Sequence, residues 1–276
     1  MSGALSPERQ KLRQVIAQAE QERNVALIKS LMKFSFDNDC FEELLELNRI
    51  VERFSDSNRG VDLSRALLER NPNLPSVLIV ALPRSGSTYL RDSVINTWGF
   101  KNYLCYNSNE LGFTECDGLY SSKLGLGGLI SRMHSEAKAA ELEKIEQSGI
   151  SKLVLLIRNP IDSTVSLLRR EGLENPDQDR AKQLVRQNIT WLRDWKDQKD
   201  RLKDRCLVLR YEDAVRDWAG AVRDVGEFYG LDRLEPVVAG EQSKNRFNLD
   251  LDLGDDLHER IMQGESCLGI EEFYRW

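Results

Sequence analysis

The opening third of the chain repeats apolar residues at helical spacing. Leu12, Val15, Ile16, Ala19, Leu27, Ile28 and Leu31 recur among charges from about Pro7 to Phe34, which predicts one or two amphipathic helices. Phe41, Leu44, Leu45, Leu47, Val51 and Phe54 extend the pattern. A further short helix is expected from Asp62 to Arg70, ahead of the NPNLP breaker at 71–75. The period then changes. Val77 to Leu82 is an unbroken run of apolar, β-prone residues, the kind of strand a parallel sheet buries on both faces. Similar runs stand at Lys152 to Ile157 and Cys206 to Leu209, with shorter candidates at Tyr103 to Tyr106 and Leu129 to His134.

Between these strands the helical period returns. Ser87 to Trp98 reads as a helix closed by Gly99, and Ser135 is expected to cap a helix through about Gln147. Pro160 suits the first position of a helix running through Arg170. Asp179 to Arg205 predicts one long charged helix with Leu184, Ile189, Trp191, Leu192 and Trp195 as its buried side. Trp218, Val222, Val225 and Phe228 mark a last helix closed by Gly230. Strands alternating with helices predict an α/β domain around a central parallel sheet, residues 76–276, preceded by an N-terminal helical segment, residues 1–75. That segment carries no nameable chemistry. A cap packed on the domain, a lid over the site, or a homodimer contact are all open for it.

Composition narrows the classes. Apolar content of 41% and charged content of 30% over 276 residues describe a soluble globular chain, and no apolar stretch is long enough to span a bilayer. A net charge of −6 argues against nucleic acid as a partner, since phosphate neutralisation needs an excess of Lys and Arg on one face. The five cysteines are odd in number and scattered, without a CxxC pair, and only His134 and His258 could join them. No metal site is therefore expected, and reduced thiols in the cytoplasm are the default.

Chemistry concentrates where strands give way to helices. After Pro83, residues Arg84, Ser85, Gly86, Ser87 and Thr88 supply a fixed cation, hydroxyls and a glycine. Orphan amides and the positive helix end converge there, so the turn is a cradle for a phosphate or sulfate. It lacks the GxxxxGK[ST] spacing of nucleotide triphosphatases. Arg158, directly after the second strong strand, repeats the arrangement. Ser166 lies on the following helix, one turn from Ser163, where it can face back toward Arg158. Glu110, Glu115 and Asp117 sit in a Gly- and Asn-rich stretch from Asn107 to Gly128 that reads as a long functional loop.

Taken together, PRSGSTYL at Pro83, RNPIDSTVS at Arg158 and LVLRYED ending at Asp213 resemble the sulfotransferase family. The resemblance implies a P-loop-kinase-like three-layer domain with a central parallel sheet. It also implies 3′-phosphoadenosine 5′-phosphosulfate (PAPS) as sulfuryl donor, without a metal. Arg84, Ser85, Gly86, Ser87 and Thr88 match the 5′-phosphosulfate loop, while Arg158 and Ser166 match the 3′-phosphate pair. Tyr89 and Tyr211 take places near the adenine. For the catalytic base, His134 is similar in place to the histidine of a Lys-Thr-His triplet in the cytosolic branch, and Glu110 to a glutamate used in other branches. The Arg-Lys-Gly segment of the cytosolic enzymes is missing, and Lys244 or Arg246 are its candidate substitutes.

The implied activity is sulfuryl transfer to a hydroxyl or amine of a small-molecule acceptor. The acidic loop suits a cationic acceptor of specialised metabolism, such as a guanidinium alkaloid. Two other readings stay open: a nucleotide-dependent phosphotransferase, which would need a lysine after the glycine and a magnesium-holding carboxylate, and a non-catalytic nucleotide-binding module.

Overall fold

The computed structural model describes residues 6–54, 59–103, 123–171 and 178–239. Four helices open the chain: α1 (Pro7–Gln21), α2 (Val25–Asp37), α3 (Phe41–Glu52) and α4 (Arg59–Glu69). Ser6 and Asn24 cap the first two by accepting the amides of Arg9 and Leu27. Five parallel strands follow, β1 (Val77–Ala81), β2 (Lys101–Asn102), β3 (Leu129–Met133), β4 (Leu153–Ile157) and β5 (Cys206–Arg210), in the order β2-β3-β1-β4-β5. Helices α5 (Ser87–Trp98), α6 (Ala139–Gln147), α7 (Pro160–Arg170), α8 (Gln178–Asp197), α9 (Lys199–Leu202), α10 (Tyr211–Arg216) and α11 (Trp218–Tyr229) connect or follow them.

Strand alternation sorts the core into two layers. Leu78, Val80, Leu129, Met133, Leu153 and Leu155 point to one side and pack with Ile16, Ile28, Leu44, Leu67 and Trp195. Val77, Ile79, Ile130, Val154 and Leu156 point to the other and pack with Leu90 and Val94 of α5 and Val222 and Val225 of α11. The sheet is thus flanked by helices on both faces, and β1 and β4 are buried along their whole length. Among the described residues no helix is long and apolar enough to cross a membrane.

Several elements depart from the expectations. The second strand is the two-residue edge at Lys101–Asn102, and Tyr103 follows it as a fully buried core side chain. Residues 104–106 lie outside the described residues. Ser135 does not cap α6, which starts at Ala139. Its carbonyl instead accepts both indole N–H groups of α8, from Trp191 at 2.7 Å and Trp195 at 3.0 Å. The long charged helix ends at Asp197, followed by α9 and a 3₁₀ turn at Lys203–Arg205, where Lys203 takes φ 43°. Leu184 is half-buried on α8, while Ile189, Trp191, Leu192 and Trp195 are buried.

Candidate active site

Strand order reverses between β1 and β4. β1 leads outward to β2 on one side and β4 to β5 on the other, so the carboxyl ends of β1 and β4 flank the crevice where such sheets collect ligands. The two turns carrying Arg84 and Arg158 meet there.

The β1 turn is shaped by two left-handed residues. Arg84 has φ 64° and Gly86 φ 81°. The Ser85 amide and hydroxyl both donate to the Leu82 carbonyl, at 3.3 and 2.5 Å. Helix α5 begins at Ser87 with no side-chain cap, unlike α7, whose first amides are taken by Asn159 Oδ1 at 2.9 and 3.4 Å. The amides that open α5 are therefore the ones left for an anion. On the second turn the helix end is already filled, and anion binding there rests on the Arg158 guanidinium.

Helix α7 holds the β1 turn from above. The Ser163 hydroxyl donates to the Pro83 carbonyl at 2.6 Å, and Arg158 Nη1 donates to the Arg84 carbonyl at 2.5 Å. The carbonyls of Leu82, Pro83 and Arg84 are thereby all engaged within the protein. A backbone cradle repels anions through its carbonyl oxygens, so tying these down leaves the loop positive. Ser166 meets Arg84 rather than Arg158 in this arrangement, with Arg84 Nε donating to its hydroxyl at 3.3 Å. Ser163, not singled out for the cradle in the sequence, is thus part of its scaffold. Its signal was only the spacing to Ser166.

Aromatic rings close the other side. The Arg158 guanidinium lies 4.2 Å above the Tyr211 ring, within cation–π range. Tyr211 is buried, which raises its hydroxyl pKa, while Arg158 works against the shift. Trp218 stands between Tyr89 and Tyr211, with ring centroids 4.7 and 6.3 Å away. A Cβ on Gly86 would come within 2.9 Å of Trp218 and 3.2 Å of Tyr211, so this turn requires glycine for space as well as for φ. Trp218 read as an ordinary helix residue in the sequence.

His134 follows directly after β3. Its Nδ1 lies 2.6 Å from the Ala81 carbonyl, which can only accept, so Nδ1 carries the proton. The neutral ring then presents its lone pair on Nε2, 3.4 Å from Arg132 Nη1. The two indoles on the Ser135 carbonyl fix the next residue, so the ring is held from both sides. Glu110, Glu115, Asp117, Lys244 and Arg246 lie outside the described residues. A groove of about 550 Å³ runs along β5 beside α10 and α11, between Arg210, Asp213, Asp217 and Asp224, and none of the residues above lines it.

Residues 150–236 match the sulfotransferase family. The matched stretch holds Arg158, Ser166 and Tyr211 and begins after the β1 turn and His134, so it agrees with the motif resemblance over its second half. Solved structures similar to the chain include mouse sulfotransferase SULT7A1 complexed with PAP, at 18% identity and a TM-score of 0.44. The matched part covers 62% of each chain, under two thirds of the mouse protein's length. A sulfotransferase from Alicyclobacillus acidocaldarius is 17% identical over 70% of this chain and 91% of its own, with a TM-score of 0.45. The sulfotransferase domain of the Synechococcus PCC 7002 olefin synthase is 21% identical over 69% and 81%, with a TM-score of 0.39. No curated protein matches the chain.

Proposed function

We propose that the chain transfers a sulfuryl group from PAPS to a hydroxyl or amine of a small molecule. One observation carries this reading: the β1 turn has its carbonyls tied down and its helix amides uncapped, with the Arg158 guanidinium on the Arg84 carbonyl and the Arg84 guanidinium on the Ser166 hydroxyl. Such a turn fits a ligand with two separate anionic groups flanking a nucleoside, and the half-buried Trp218 ring offers a face for a base. When bound, PAPS supplies a sulfuryl group on a phosphate leaving group. Arg84, Ser85, Gly86, Ser87 and Thr88 would hold its 5′ end, and Arg158 with Ser166 its 3′-phosphate.

The chain's own contribution is electrostatic and basic. Arg84 and the α5 amides sit where charge grows on a departing phosphate, positioned in advance by α7. His134 is suited to take the acceptor's proton, because its Nδ1–H bond to Ala81 leaves the lone pair on Nε2, the nitrogen facing Arg132 Nη1. Arg84 cannot serve as proton donor.

The test is a calorimetric titration with 3′-phosphoadenosine 5′-phosphate (PAP) in EDTA, with AMP and with ATP plus magnesium as controls. Micromolar binding that needs the 3′-phosphate and is lost in Arg158→Ala is the expected result. A preference for ATP with magnesium, or no PAP binding, would overturn the assignment.

A further inference from the structure

A further arginine lies beside His134. Arg132 occupies β3 in register with Ile79 of β1, and its Nη1 reaches His134 Nε2 at 3.4 Å. Its Nε is buried without a hydrogen-bond partner. Arg91, from the first turns of α5, is largely buried and ion-paired to Asp92 at 2.7 Å. Arg170 ends α7, the helix that passes from β4 over the β1 turn.

The charges that act on Arg132 are those of Arg91, Asp92 and Arg170, whereas Arg84, Arg158, Asp162 and Glu212 act on Tyr211. Burial and the two neighbouring guanidiniums push the Arg132 pKa down, but a guanidinium stays protonated at neutral pH. Asp92 is the one carboxylate acting on Arg132 among the described residues, and its Oδ1 is already shared by Nε and Nη2 of Arg91. In a chain of net charge −6 this local excess of positive charge is costly unless an anion completes it.

We infer that Arg132, with Arg91 and Arg170, forms a subsite for an anionic group on the acceptor, a carboxylate or phosphate placed next to the hydroxyl or amine that His134 deprotonates. This rests on the sulfuryl-transfer reading and reverses the cationic-acceptor expectation, whose acidic residues lie outside the described part. The planar fork of Arg132 suits bidentate recognition of such a group. Drawing Arg132 onto the acceptor's anion also withdraws its Nη1 from His134 Nε2, so the base is uncovered by the substrate that needs it.

The experiment uses the full chain saturated with PAP. Benzoate and 4-hydroxyphenylacetate are titrated against their uncharged amides, with binding followed by the His134 ring resonances. The acids should bind at least about tenfold more tightly than the amides, with the His134 signals shifting on saturation. Arg132→Gln should abolish that preference, and Arg170→Ala, at an exposed position, should reduce it several-fold; both should bind PAP within threefold of the parent. Equal binding of acids and amides, or an acid preference that survives Arg132→Gln, overturns the subsite. Loss of PAP binding in Arg132→Gln overturns it as well, by assigning the arginine to the donor. Failure of the parent protein to bind PAP is a separate result, and it refutes the sulfuryl-transfer reading itself.

Discussion

Replacing Arg84 with glycine separates what this residue costs the fold from what it does for a ligand. At φ 64° a non-glycine residue carries strain of roughly 1–2 kcal/mol, which glycine relieves. Against this stand roughly 0.5–1 kcal/mol of extra unfolded-state entropy for glycine and about 0.5–1 kcal/mol for the lost, partly exposed bond to Ser166. The two sides cancel to within about 1 kcal/mol. For a chain of this size the melting temperature should then stay within about 4 °C of the parent. Affinity for PAP has no such compensation. A charge-assisted bond to a phosphate is worth about 1.5–3 kcal/mol, so binding should fall by about one to two orders of magnitude.

Companion variants test each half of the argument. Arg84→Lys keeps the strain and the charge, and should keep the melting temperature and most of the affinity. Arg84→Val puts a β-branched residue into the left-handed region and should be clearly less stable than Arg84→Gly, with PAP binding equally poor. Differential scanning calorimetry and PAP titration on the four proteins give both readouts. If Arg84→Gly melts about 8 °C or more below the parent, the strain argument is wrong. If its PAP affinity is within threefold, the donor role of Arg84 is wrong.

Gly86→Ala should lose about 2–4 kcal/mol of stability, because the new Cβ meets Trp218 at 2.9 Å on a backbone of φ 81°; chemical denaturation measures it, and adding Trp218→Ala should recover part of the loss by removing the clash. Ser163→Ala leaves the Pro83 carbonyl without its donor and should cost about 1–3 kcal/mol and several-fold in PAP affinity, read by the same two methods. Glu43 is a buried carboxylate that burial pushes upward, but hydrogen bonds from Arg9 and Arg13 outweigh this and hold its pKa below the ordinary glutamate value. Its contribution is present above the ordinary glutamate pKa and lost as pH falls through the lower folded-state pKa, so the gap in melting temperature between the parent and Glu43→Gln should narrow steadily as pH falls below the ordinary carboxylate range.

The parts of the fold legible in the sequence are those that local rules decide. Helix α5 starts and stops where Gly86 and Gly99 allow left-handed backbone, and α7 starts where Asn159 caps and Pro160 opens. Both boundaries fall where expected. The edge strand β2 is not legible in the pattern because its two residues, Lys101 and Asn102, make no hydrophobic run, while the apolar residue nearby, Tyr103, belongs to the core beyond it. Ser135 read as a cap because serine before an acidic turn does so locally. Its carbonyl was instead claimed by indoles from a helix more than fifty residues away, which no local rule anticipates.

The same division runs through the candidate site. Residue types and spacing point to Arg84, Gly86, Arg158 and His134, because each sits at a strand end where ligands collect. What makes them a site is the path of α7 across the β1 turn, which is tertiary. Spacing along α7 gives the shared face of Ser163 and Ser166, yet it does not say that this face meets Pro83 and Arg84 instead of Arg158. An anion cradle made of backbone depends on where its carbonyls go as much as on where its amides point. Here the Ser163 hydroxyl of α7 removes that of Pro83, and the Arg158 guanidinium, from the turn that leads into α7, removes that of Arg84. The same arrangement gathers arginines at the carboxyl edge of the sheet, and both ligands proposed for it are negatively charged.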